Sequence, residues 1–264
     1  TFKEPLGYRV SILKVKYESF TPSTGSGSAT SVTSPVFTKL ESQQIKVSQM
    51  RKVIARRLSE SKFTNPHFYE TIDIDMKSAV AAREALKAQD VKISFNDIVV
   101  KACAVALTRH PAINSSWHDD YITQHGDVNI AVAVAIDDGL MTPVINHADK
   151  KGLNQISAET RELAGLARDR KLQPDQMEGS TFTISNLGMF GIEEFTAIIT
   201  PPNACILAVG AIRDLPVIED GQIVAGKRMK VTLSSDHRIV DGAKAAEFLN
   251  TVRQLIENPL AMLL

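Results

Sequence analysis

Cysteine is scarce. Only Cys103 and Cys205 occur in 264 residues, which excludes a disulfide-framework scaffold. Both stand inside apolar patterns and read as small core residues, the usage expected in a reducing compartment. Net charge is missing as well. Thirty Lys and Arg balance thirty Asp and Glu, so no field of one sign draws the chain to nucleic acid or to an anionic membrane, and an anionic ligand has to be met by local cations. No run of about 18 apolar residues and no signal-peptide layout is found, so nothing in the sequence reads as spanning a membrane or directing secretion. Neither an internal repeat nor a Gly-rich phosphate loop is present. What the chain does have is an apolar fraction of 44%, ample for a buried core in one large domain or two small ones.

Taken in order, residues 1–20 contain a partly alternating run from Tyr8 to Tyr17 that reads as a strand laid on another surface. Residues 21–44 read as a linker, rich in Ser, Thr and Gly through Pro35, so that 1–20 is a separately attached segment. That segment reads as an arm, a docking peptide or an appended piece. From 45 onward the pattern is that of a folded domain. Ser48 is a natural N-cap for a helix with Met50, Val53, Ile54 and Leu58 on one stripe, and Arg51, Lys52, Arg56 and Arg57 elsewhere read as a solvated face.

After Pro66 the residues Phe68, Glu70, Ile72 and Ile74 alternate as in a strand. His67, at its entrance, reads as packed rather than catalytic. A helix is expected over 77–88 with Asp75 as cap, and another from Ser94 to before Pro111 opened by a Ser94/Asp97 capping box. The apolar run 128–136 reads as one strand buried on both faces, and a further strand begins at 143–145. A helix follows over 154–172. Strands are predicted at 181–185, 194–199 and 204–210, and a hairpin with an Asp220-Gly221 turn at 217–224. The last helix spans 243–256, and the apolar tail 259–264 is too short to bury itself, which suggests a neighbouring subunit as its receptor. Mixed strands and helices without a βαβ rhythm point to an α/β two-layer sandwich with a mixed β-sheet.

The stretch SSDHRIVDG at 234–242 sits at a strand-to-helix junction. Imidazole accepts a proton near neutral pH without tuning, its ordinary pKa being about 6.5, so His237 is a candidate general base. Asp241 lies four positions on, and Gly242 permits close approach. The same stretch also reads as a capped helix start with an incidental histidine, and spacing alone does not choose between the two.

DHRIVDG at 236–242 resembles the signature of the catalytic domain of the dihydrolipoyl acyltransferases, the core components of 2-oxo acid dehydrogenase complexes. The similarity continues in VSQMRKVIARRL at 47–58, PHFY at 66–69, DGLMTPVI at 138–145 and TFTISNLG at 181–188, and so covers 45–264. It implies a chloramphenicol acetyltransferase-like fold, forming trimers with a channel at each subunit interface. It also implies acyl transfer between dihydrolipoamide and coenzyme A, with His237 as base on the thiol and Ser185, lent by the adjacent subunit, as donor to the oxyanion. Asp241 would fix local structure, and Ser48, Arg51 and Lys92 are candidates for the coenzyme's phosphates.

Such a reaction takes coenzyme A or acetyl-CoA as substrate and needs no metal. The lipoyl group would come from a lipoyl domain outside this chain. NLGMFGI at 186–192 and PPNACIL at 201–207 look most like the acetyltransferase of the pyruvate dehydrogenase complex, rather than the succinyl or branched-chain enzymes. The implied partners are copies of the chain in a trimer-built octahedral or icosahedral cage, together with the 2-oxo acid dehydrogenase and dihydrolipoamide dehydrogenase components. The implied location is the mitochondrial matrix or bacterial cytoplasm. Two other readings are a non-catalytic cage scaffold, disfavoured by the presence of His237, and a free-standing chloramphenicol-type enzyme acting on a small alcohol.

Overall fold

In a computed structural model, residues 42–136 and 139–263 are described; the readings for 1–41 and for Asp137 and Asp138 lie outside them. The chain divides into Thr1–Ile45 and Lys46–Leu264, and all the elements below belong to the second unit. The Ser48 hydroxyl accepts from the Arg51 N–H at 3.2 Å and starts α1 (Gln49–Thr64), as its side chain predicts. β1 (His67–Asp75) follows, then α2 (Lys77–Lys87), whose first amide is bound by the Asp75 carboxylate at 2.8 Å. Ser94 and Asp97 form a reciprocal capping box on α3 (Phe95–Arg109). β2 (Ser115–His118) and β3 (Tyr121–Gln124) make a small hairpin, followed by β4 (Ile130–Val132), β5 (Val134–Ile136), β6 (Gly139–Met141) and β7 (Val144–Ile145). Next come α4 (Leu153–Arg168), β8 (Phe182–Asn186), β9 (Cys205–Glu219), β10 (Gln222–Asp236) and α5 (Gly242–Glu257).

Six strands form one mixed sheet in the order β1-β10-β9-β8-β4-β7, with β8 parallel to both β4 and β9. Side chains alternate across it. Ile72, Ile74, Val231, Leu233, Leu207, Val209, Phe182 and Ile184 point to one face and join the main core with α3 and α5, where Phe182 packs on Phe248 at 5.6 Å between ring centroids. Thr71, Thr232, Ala208 and Ser185, aligned across four strands, point to the other face. Both cysteines are fully buried; burial alone drives the Cys103 thiol up, and burial chiefly pushes Cys205 to about 12.

Four sequence expectations are corrected. The run 128–136 breaks at Ala133: β4 stays in the main sheet, while β5 leaves it to pair with β6. The strand predicted at 194–199 is irregular. Its backbone is bound by side chains and single contacts instead of a ladder: the Ala197 carbonyl accepts from Ser234 Oγ at 2.7 Å, the Ile199 carbonyl from Ser61 Oγ at 2.6 Å, and the Ile199 N–H donates to His67 Nε2 at 3.1 Å. This segment lies over the open sheet face, and Gly210 lets it approach, since a Cβ there would fall 2.0 Å from the Glu193 carbonyl oxygen.

The strand at 204–210 and the hairpin at 217–224 are parts of one long hairpin of two 15-residue strands, closed by Asp220 and Gly221 at φ 49° and 77°. The tail departs from expectation at one residue: Met262 is buried in this chain's own core, while Leu260, 79% exposed, is left uncovered as expected. On α1, Met50, Val53 and Leu58 of the stripe are exposed, while Ile54 is half-buried beside Gly139.

Candidate active site

β10 ends at Asp236, and residues 237–241 carry the chain over the end of β1 into α5. The His237 N–H donates to the Pro66 carbonyl at 3.0 Å, continuing the β1–β10 register by one residue. Its exposed ring rests on Phe68, with centroids 4.5 Å apart. The two residues flanking it are locked together. Asp236, 1% exposed, accepts from the Arg238 backbone N–H at 3.1 Å and from its guanidinium at 2.6 to 3.2 Å. Arg238 also donates to Asn65 Oδ1 at 3.0 Å, and the Trp117 ring lies against its guanidinium at 4.9 Å. Bonding to Asp236 holds the Arg238 guanidinium above its already high range.

Asp241 occupies the N-cap position of α5 without capping it. Exposed, it pairs with Lys244 at 3.5 Å, so its carboxylate is turned along the helix rather than to the imidazole. Glu70 shares the helix-side face of β1 with Phe68. Its Oε1 lies 3.1 Å from where a Cβ on Gly242 would be, its Oε2 is buried without a hydrogen bond, and burial pushes the carboxyl up. His67 is packed, as its position after Pro66 suggested: Nε2 accepts from Ile199, which leaves Nδ1 to donate to the Asn65 carbonyl at 2.7 Å.

Ser185 is half-buried near the end of β8, on the face away from the helices. It pairs with Ala208, and Ala208 pairs with Thr232, five residues short of His237. At about 3.3 Å per residue and about 4.8 Å per strand, the two backbone positions are roughly 19 Å apart. They also belong to opposite faces, because the His237 ring sits on the helix-side residue Phe68. One chain therefore does not bring Ser185 and His237 together. The next residue, Asn186, accepts from the Gly188 N–H at 2.9 Å and donates to Asn96 at 3.2 Å, fixing the turn beyond the serine.

The three anion candidates fall on two parts of the fold. Ser48 and Arg51 share the first turn of α1, where the Ser48 hydroxyl is occupied as a cap and the Arg51 guanidinium reaches the Gly139 region of β6. Lys92 is exposed before α3, at a cleft of about 370 Å³ lined also by Asp90, Asn154, Ser157 and Arg161. Its carbonyl accepts from Ser157 at 2.9 Å and from Arg161 at 3.2 Å. The sequence reading missed Trp117, Asn65 and Glu70. Trp117 is the chain's only tryptophan, the one signal that pointed to it.

Among solved structures, a chloramphenicol acetyltransferase covers 81% of this chain at TM-score 0.51 and 16% identity, spanning 99% of its own length; the likeness defines the fold class, a chloramphenicol acetyltransferase-like two-layer sandwich. Residues 39–264 match the family of 2-oxoacid dehydrogenases acyltransferase (catalytic domain), and the chain belongs to that family. It is 43% identical over 270 residues to the mitochondrial dihydrolipoyllysine-residue acetyltransferase component of the pyruvate dehydrogenase complex of Schizosaccharomyces pombe, covering 96% of this chain and 56% of that protein. The chain thus spans about half the length of the curated relatives it matches. Two structures each align at TM-score 0.81 and 34% identity over 85% of this chain and 95% of theirs. One is Azotobacter vinelandii dihydrolipoamide acetyltransferase, solved to investigate the role of a serine, a histidine and an asparagine in its catalytic mechanism. The other is the cubic core of a pyruvate dehydrogenase multienzyme complex.

Proposed function

We propose that this chain is the acetyl-transferring core of a pyruvate dehydrogenase complex, moving an acetyl group between dihydrolipoamide and coenzyme A. The observation that carries the reading is the placement of Ser185 and His237 at opposite ends and faces of one sheet, which fits a site completed between subunits. Their spacing supports it. The serine, histidine and asparagine studied in the Azotobacter enzyme are separated by 52 and 4 positions, as are Ser185, His237 and Asp241 here. Where that enzyme has an amide, this chain has a carboxylate turned to Lys244, so Asp241 is assigned to shaping the start of α5 and not to proton transfer.

In the proposed reaction His237 takes the proton from the coenzyme thiol. With an ordinary pKa of about 8.5 the thiol is only a few per cent ionised near pH 7, so a positioned base contributes about two to four orders of magnitude. The thiolate attacks the thioester carbonyl carbon, and Ser185 of the adjoining subunit donates a hydrogen bond to the oxyanion. Collapse breaks the bond to the lipoyl sulfur, which takes the proton from the imidazolium.

Residues 45–264 form the catalytic unit, 21–44 are its tether, and 1–20 is a segment attached through it. The lipoyl group that reacts here is carried by the remainder of a longer parent, which also engages the 2-oxo acid dehydrogenase and the dihydrolipoamide dehydrogenase. Copies of the unit associate as trimers within a cage, as the cubic core of the relative suggests. That relatives include mitochondrial and bacterial forms supports a parent in the mitochondrial matrix or the bacterial cytoplasm. Among the described residues no helix is long and apolar enough to cross a membrane.

The test is transfer from acetyl-CoA to free dihydrolipoamide by the assembled chain. Turnover that falls by about two to four orders of magnitude in His237→Ala is expected. An assembled wild-type chain without turnover would remove the enzymatic reading.

A further inference from the structure

The His237 ring touches Phe68 and its N–H is bound to the Pro66 carbonyl; the pair on either side of it holds the backbone a second time. Asp236 is 1% exposed and its charge is answered by Arg238 alone among the ion pairs of the described residues. A buried carboxylate that loses its partner is strongly unfavourable, so the geometry of this pair is constrained from both sides. Three contacts shape the guanidinium: Asp236 along one edge, Asn65 at Nη2, and the Trp117 ring on its face at 4.9 Å.

Trp117 is itself held. It pairs with Ile122 across the β2–β3 hairpin, its indole N–H donates to Asp119 Oδ1 at 3.1 Å, and it packs partly buried against the main core. The neighbouring Ser116 bridges to Asn203, tying the hairpin to the start of β9. An indole on a guanidinium face both attracts the cation and keeps water off it. Without it, water competes with Asp236 for the same N–H groups.

We infer that Trp117 is a positioning residue for acetyl transfer, acting through Arg238 to hold the backbone on both sides of His237. The inference rests on the reading of His237 as the base. A displacement of about 1 Å in a reacting group costs on the order of a hundredfold in rate, so a loosened flanking pair is felt in turnover, while the candidate phosphate contacts Ser48, Arg51 and Lys92 belong to α1 and the segment before α3 and not to this pair.

The test uses the assembled chain with Trp117→Leu, Trp117→Phe, Arg238→Lys and the double variant Trp117→Leu/Arg238→Lys. For Trp117→Leu, kcat is expected to fall by about tenfold to a hundredfold with KM for coenzyme A within about twofold, and Trp117→Phe is expected to recover most of the loss because a ring face is restored. The double variant is expected to be no slower than Arg238→Lys, since both act through one contact. Trp117 is the only tryptophan, so the emission of Arg238→Lys reports the stack directly and is expected to shift.

An unchanged kcat in Trp117→Leu overturns the inference. So do losses that multiply in the double variant, or a Trp117→Phe as slow as Trp117→Leu. If wild type turns over and His237→Ala is as fast, the base assignment has failed instead, and the two failures are told apart.

Discussion

Mixing two inactive variants is the sharpest check on how the site is built. Ser185→Ala removes the oxyanion donor, which typically costs about 2.7 to 4 kcal/mol, or roughly a hundredfold to a thousandfold in kcat. His237→Ala removes the base, at about a hundredfold to ten-thousandfold. Because the register sets the two residues roughly 19 Å apart on opposite faces, neither variant chain is damaged at both halves of any one site. Let the two be dissociated, mixed in equal amounts and reassembled as trimers. A site then receives an intact histidine from a Ser185→Ala chain and an intact serine from a His237→Ala chain at about a quarter of the interfaces, by random assortment in a cyclic oligomer.

Recovery to about 25% of wild-type turnover is therefore expected from the mixture, against about 1% or less for either parent. The assay is acetyl transfer to dihydrolipoamide before and after reassembly, with sedimentation confirming the oligomer. A mixture no more active than the sum of its parents, in a properly exchanged oligomer, refutes the reasoning.

Two further outcomes follow from packing and burial. Glu70 carries a carboxyl raised above its ordinary 4.5 by burial, so the native state holds its proton to higher pH than the unfolded chain does, and its contribution to stability declines as pH rises from about 4.5 through the folded value. Glu70→Gln should thus be more stable than wild type in urea near pH 7.5 and indistinguishable near pH 4; equal differences at both would contradict the burial argument. Phe182→Ala empties a fully buried site against Phe248 and should cost about 3 to 5 kcal/mol in urea unfolding, with turnover reduced as well because Ser185 lies three residues along the same strand. A loss below about 1 kcal/mol would mean that the core does not close on this ring.

Features governed by neighbours a few residues away were readable from the residues alone. Ser48 caps α1, the Ser94 and Asp97 pair opens α3, Asp75 binds the first amide of α2, and Asp220-Gly221 turns the long hairpin through positive φ. Each rests on side-chain reach or backbone conformation within about four positions, which composition and spacing encode. The junction of β10 with α5, and hence the stretch carrying His237, was legible for the same reason. Family motifs added the roles of Ser185 and His237, and they remain proposals that the arrangement supports.

Longer-range pairing was decided only when the chain folded. The apolar run 128–136 gives no sign of the residue at which it leaves one sheet for another, since both halves are equally apolar. Segment 194–199 alternates like a strand, yet Ser234, Ser61 and His67, distant in sequence, take its backbone groups. Asp241 has His237, Arg238 and Lys244 within four residues, and the helix direction turns it to Lys244. The stacking of Trp117 on Arg238 joins residues 121 positions apart. Most consequential is the separation of Ser185 from His237. It depends on the order β10-β9-β8 and on the registers between those strands, and a one-residue slip in either would have put the serine on the other face.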